Sequence, residues 1–194
     1  MPPLSVDDLI LDPNDYAAVR RDRRAHAIAL RRLRRVGVGD LISIEFENEE
    51  TLRYQAQEMI YVERVTEEGA AAEEIEVYTR LVPSGHTLTA TMLIEITDQA
   101  SVRDELARLD GVHESVALKV GPTVVPAREI PPPEEGPSAH TVSVHFLAFD
   151  LPEAAAHALA TGVPAWLVID HPAYTAEAEL SSATKALLAG DLGS

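Results

Sequence analysis

Two histidines hold the positions in this chain where chemistry is easiest to build. His145 lies in SVHFLAFD and His171 in IDHPAY. Both fall near the ends of strand-like runs, and imidazole is at once a metal ligand and an acid–base group near neutral pH. His171 is preceded by Asp170 and followed by Pro172, which forces extended backbone at the histidine. A carboxylate brought beside these rings would complete a divalent metal site or orient a general base. Glu58 and Glu63, on a helix in the first half of the chain, are the carboxylates considered for that place. The alternative is that both histidines are hydrogen-bonded residues of a sheet. Glu153 and His157 stand four apart, a permissible ligand spacing, but only alanines separate them and their helix reads as exposed. His140 and His145 are five apart on a strand and point to opposite faces, so they cannot share an ion.

The arginines form a second grouping. Of 16 basic residues, eight stand between positions 20 and 35, opposed there by Asp22 alone, in a chain of net charge −16. Arg23, Arg31, Arg34 and Arg35 are the candidates for docking an anion or a partner. Three readings stay open: neutralisation by the acidic runs at Glu67-Glu68 and Glu73-Glu74-Glu76, docking on a partner or a second copy of the chain, and nucleic-acid binding. The overall acidity and the lack of interleaved aromatics argue against nucleic acid.

Several classes of chemistry are excluded. There is no cysteine, hence no disulfide, thiolate nucleophile or iron–sulfur ligation. No haem motif, P-loop, G-x-G-x-x-G, G-x-S-x-G or H-E-x-x-H occurs. The N-terminal MPPLSVDDLILD is acidic where a signal peptide is basic, and no apolar run reaches the ~18 residues of a membrane span. The expectation is a cytoplasmic protein without a membrane anchor.

The element that must position much of this chemistry is a helix in FENEETLRYQAQEMIYVER, with Asn48 as its N-cap and Glu49 and Glu50 in its first turn. Leu52, Ala56, Met59 and Val62 form one apolar stripe; Tyr54, Tyr61 and Val65 form a second, with Glu58 inside it. Gln55, Gln57 and Glu58 could floor a small-molecule pocket. Before it, Asp12-Pro13 starts a helix expected to run to about Val36, with Tyr16, Val19, Ala27, Leu30 and Leu33 on its apolar side. A strand over Leu41–Glu47 follows. After it come a helix over Ala70–Leu81, a strand over Thr87–Thr97 whose threonine face is wet or lightly covered, and a helix from Asp98 to Leu109. A hairpin turns at Gly121-Pro122, and a Pro-rich loop spans 131–137. The remainder reads as a strand over Thr141–Asp150, a helix to Ala160, strands over Ala165–Asp170 and Tyr174–Leu180, and a terminal helix capped by Ser181 or Ser182. Mixed order and tight turns predict one α+β domain, with a mainly antiparallel sheet of six or seven strands packed by several helices.

With these segments in this order, especially the Q-x-Q-E-M helix and the D-H-P-x-Y turn, the chain resembles a bacterial domain-of-unknown-function family, number thirty-five-oh-one. The resemblance spans nearly the whole chain. It marks Asn48, Gln55, Gln57, Glu58, Glu63, His145, Asp170, His171 and Tyr174 as family-typical polar positions. Basic residues are typical where this chain has Glu49, Tyr61 and Ala148. Members resemble one another in standing beside rubrerythrin-like and iron–sulfur, heterodisulfide-reductase-like proteins, which implies an accessory role in peroxide defence or electron transfer. Such a protein would bind a redox partner rather than carry electrons, since it has no iron–sulfur or haem ligands of its own.

Overall fold

The computed structural model describes residues 4–98, 100–131 and 143–193. The chain divides into two compact units, Met1–Leu33 with Glu47–Val82, and Arg34–Phe46 with Pro83–Ser194. Among the described residues no helix is long and apolar enough to cross a membrane.

The first unit is helical. A 3₁₀ turn at Val6–Asp8 leads into α1, Pro13–Arg34, whose first turn is capped by Asp12 accepting from the Asn14 N–H at 2.8 Å. The next helix, α2, spans Glu49–Glu63 and α3 spans Glu68–Thr79. The expected cap of α2 is a reciprocal one: the Asn48 side chain accepts from Thr51 N–H, and Thr51 Oγ1 accepts from Asn48 N–H. Such a box satisfies two otherwise orphaned donors. At the other end Arg64 takes the left-handed conformation, with φ 58°, in a position usually given to glycine. The buried stripe of α2 is Leu52, Ala56 and Ile60, with Thr51 and Gln57 beside them. The expected continuation through Met59 to Val62 is corrected, for Val62 is 65% exposed. Likewise only Tyr16 and Ala27 of the apolar side of α1 are fully buried, while Val19 and Leu33 are exposed.

The second unit carries nine strands among the described residues: β1 Arg35–Val38, β2 Ile42–Phe46, β3 Thr87–Ile94, β4 Val116–Val120, β5 Thr123–Pro126, β6 Arg128–Glu129, β7 Val144–Asp150, β8 Ala165–His171 and β9 Tyr174–Glu179. They form two antiparallel sheets, ordered β1-β2-β3-β7-β6 and β5-β4-β8-β9. Helices α4 (Val102–Arg108), α5 (Glu153–Ala160) and α6 (Ser182–Asp191) complete the unit. The α+β class with antiparallel pairing holds, with the strands shared between two sheets. Ile42, Ile44, Phe46, Leu88, Met92, Leu147 and Phe149 of the first sheet join Leu118, Val120, Leu167 and Ile169 of the second in one apolar cluster. Alternation along each strand supplies it.

Strand β1 is the main departure from the sequence reading. The predicted helix to Val36 ends at Arg34, and Val36 and Val38 pair with Ile44 and Ile42. Two β-branched residues around a glycine gain a full ladder here, which outweighs a further half-turn of helix. Strand β3 is shorter than predicted, and its threonine face is not wet, since Thr89 and Thr91 are both buried. The α4 helix begins only after Ser101, because Asp98 closes a turn by accepting from Ala100 and Ser101. Helix α5 is not exposed along its length: Ala155, Ala156 and Leu159 are buried. The Pro-rich loop beyond Pro131, His140, and the start of the strand predicted over Thr141–Asp150 lie outside the described residues.

Candidate metal centre

At the edge of the five-stranded sheet a polar cluster stands on the apolar side. His145 of β7 faces Met92 of β3 in register, so its ring points to the core face, and it is 4% exposed. A polar ring so placed must be partnered. On its other flank, β6 pairs Glu129 with Leu147, which makes Glu129 the diagonal neighbour of His145. The Glu129 Oε1 lies 2.9 Å from His145 Nδ1. The third member, His113, comes from a 3₁₀ turn, Val112–Ser115, entered through Gly111 at φ 77°. Its Nε2 is 3.3 Å from Glu129 Oε2, and its ring stacks on His145 with centroids 4.3 Å apart and planes 12° from parallel.

One carboxylate thus bridges two parallel imidazoles. His113, Glu129 and His145 offer donor atoms that all lie within 4.8 Å of one another. A tetrahedral ion with bonds of ~2.0–2.1 Å holds its ligands ~3.3 Å apart, so closing the set needs shifts of about an ångström. His113 Nδ1 is buried without a hydrogen-bond partner among the described residues. One ring nitrogen of the cluster is thus left unmatched by protein groups among the described residues. Glu129 is the exposed member and gives the cluster its access to solvent.

The structure does not bring His171 into this cluster. Its Nε2 donates to the Asp110 carbonyl at 3.0 Å and its Nδ1 accepts from Ala173 N–H at 3.3 Å, so both ring nitrogens serve the turn. Tyr174, beside it, is buried; its hydroxyl donates to Val38 O at 2.7 Å and accepts from Leu41 N–H at 3.1 Å. Gly39, at φ 75°, leaves the space this hydroxyl fills. The D-H-P-x-Y segment is thus a structural latch, with Asp170 exposed next to it.

Of the other candidate residues, Gln55, Gln57 and Glu58 bond within the helical unit. Glu58 accepts from Tyr16 Oη at 2.7 Å and from Arg20 Nε and Nη2 at 3.0 and 2.7 Å. The Arg20 fork, helped by the Tyr16 hydrogen bond against some burial, holds the Glu58 carboxyl below its usual range. Burial and the same carboxylate push the Tyr16 phenol far up. Gln57 makes a two-way bond with Ile10 N–H and C=O, closing the N-terminal segment onto α2. Gln55 donates to the buried carboxylate Glu47 at 3.0 Å, and Glu63 is exposed. The four arginines do not act together. Arg34 is buried and grips Asp191 through two bonds of 2.7 and 3.0 Å, and Arg35 reaches Glu95 at 2.7 Å. Arg23 is exposed and Arg31 lies over the Tyr54 ring. Arg20, Arg34 and Arg35 thus bond carboxylates outside the acidic runs named in one of the three readings.

The model of a family described as protein of unknown function (DUF3501) matches residues 3–192. The chain belongs to this family. A crystal structure from Burkholderia pseudomallei K96243, titled a novel protein of unknown function, is 35% identical, with 99% of this chain and 100% of that one covered and a TM-score of 0.89. No curated protein matches.

His113 and Glu129 were not among the residues singled out from sequence. Their signals are weak: a histidine in the turn before a strand, and a carboxylate at the end of a hairpin. The β6–β7 register puts Glu129 beside His145, and the 3₁₀ turn at Val112–Ser115 brings His113 onto its ring.

Proposed function

We propose that this protein binds a divalent transition-metal ion through His113, Glu129 and His145. What supports the reading is one observation: two imidazoles and a carboxylate, drawn from three separate elements, converge within 4.8 Å on the core side of a sheet edge. Two nitrogens and one oxygen suit zinc, iron(II), manganese or cobalt better than calcium or magnesium. Three protein ligands leave coordination positions open to water or a small ligand, as in exchangeable rather than sealed structural sites. The bridging carboxylate would change role on loading, from hydrogen-bond acceptor to ligand, with loss of the protons it shares with the rings.

The test is elemental analysis of untagged protein, before and after incubation with zinc, iron(II) or manganese, beside His113→Ala and His145→Ala. Near-stoichiometric metal in the wild type, lost in folded variants, is the expected result. A wild type that stays metal-free after add-back, or variants that keep the metal, would overturn the proposal. The redox or peroxide-defence setting, with a rubrerythrin-like or iron–sulfur partner, is supported by family resemblance alone. Co-purification from the native host in mild salt tests it, and recovery of neither partner counts against it.

A further inference from the structure

The helical unit contains a basic cleft of about 480 Å³, within the roughly 300–1,000 Å³ of small-molecule sites. Arg20, Arg24, Ile28 and Arg31 line one wall at helical spacings of four, four and three, so α1 presents them on one face. Tyr54, Gln55, Glu58 and Met59 of α2 and Tyr78 of α3 line the rest. Three guanidiniums therefore meet one carboxylate, and the lining is cationic in a chain whose net charge is −16.

Two further features narrow what such a cleft would take. Ile28 is 58% exposed in the middle of the arginine wall, an apolar spot that the fold itself does not bury. The phenols supply neutral donors: burial first, then nearby carboxylates, keeps Tyr54 above its ordinary value and pushes Tyr78 up to about 12. Of the two tyrosines lining the cleft, Tyr54 already has the Arg31 guanidinium over its ring, 5.7 Å from the centroid. A platform of successive open rings for single-stranded bases is not formed by the cleft's lining.

We propose that this cleft binds a small organic dianion, a phosphate monoester or a dicarboxylate, with its charged groups on the arginine wall and its carbon body against Ile28 and Met59. Planar guanidinium forks match both kinds of oxyanion. The apolar spot distinguishes an organic anion from free phosphate.

Calorimetric titration of the full chain with phenyl phosphate, glutarate, inorganic phosphate and a polyglutamate peptide tests this, beside Arg24→Gln and Ile28→Glu. Arg24 and Ile28 are both exposed, so these variants leave the packing untouched. The expected result is binding of phenyl phosphate or glutarate, the stronger of the two naming the source. Inorganic phosphate should bind more weakly, and each variant should weaken binding of the organic anion by about tenfold. No binding of either organic anion at about 5 mM, well above ordinary metabolite affinities, would overturn the proposal. So would affinities unchanged in both variants, or binding of polyglutamate alone, which would assign the face to an acidic protein. Metal content is unaffected by these variants, so this result stands apart from that of the His113–Glu129–His145 test.

Discussion

Glu58 and Glu129 are both carboxylates set among donors, yet their surroundings differ in a way that separates structure from chemistry. Glu58 receives a phenol and a bidentate guanidinium, and its charge is matched where it sits. Glu129 bridges one nitrogen from each of two stacked imidazoles, one of which keeps a buried nitrogen without a partner among the described residues. A closed network lowers the free energy of the fold with the charge of its carboxylate already matched. An incomplete one tolerates its deficit only if something else fills it.

The sharpest way to break this contrast is at the level of metal affinity. Removing either imidazole of the His113–His145 pair should lower affinity for zinc or iron(II) at least about 100-fold, whereas Glu58→Gln should leave it unchanged, as read by competition with a chromogenic chelator. Stability should separate the two through its dependence on metal. Glu58→Ala strands the buried Tyr16 hydroxyl and should cost about 1–3 kcal/mol in urea unfolding with or without metal, while Glu129→Ala, which strands the buried His145 ring, should cost more when zinc is added to wild type and variant than in its absence. Costs independent of metal in both variants would erase the distinction.

The pH dependence of stability gives a smaller test. Glu58 titrates below its ordinary value when folded, so its contribution is full above about pH 4.3 and is lost as pH falls through the lowered value. Glu58→Gln should flatten that acid limb. Tyr78 runs the other way: its stabilising neutral form is fully present below about pH 10, and the contribution is lost as pH rises toward about 12. Tyr78→Phe should make the alkaline limb shallower, measured by thermal unfolding across both ranges. Least in size, Asn48→Ala should lower stability by about 1 kcal/mol through loss of the α2 cap, with no effect on metal.

What could be read in the sequence was what depends on near neighbours. The cap at Asn48, the turn at Gly121 and the strand character around His145 all follow from residues within a few positions of one another. What escaped depends on partners far along the chain. Arg34 reads as a candidate for docking an anion or a partner, because Asp191, which makes its burial tolerable, is 157 residues away. Val36-Gly37-Val38 reads as the end of a helix until β2 offers it a ladder. His145 was legible as a polar residue on a strand, but Glu129 reaches it across a diagonal that only the register reveals. His171 and Tyr174 carry the same lesson reversed: a motif that invites a catalytic reading spends its polar atoms on backbone groups of distant turns.

The interleaving of the two units also governs synthesis. All residues of the helical unit precede Pro83, so on the ribosome its three helices are complete while the sheet unit consists of a single hairpin. That hairpin, β1 and β2, waits with one edge unpaired until β3 emerges, and its turn stays unlatched until Tyr174 has left the exit tunnel. A nascent chain therefore carries an unpaired strand edge, a surface prone to aggregation, from the completion of β2 until β3 is made.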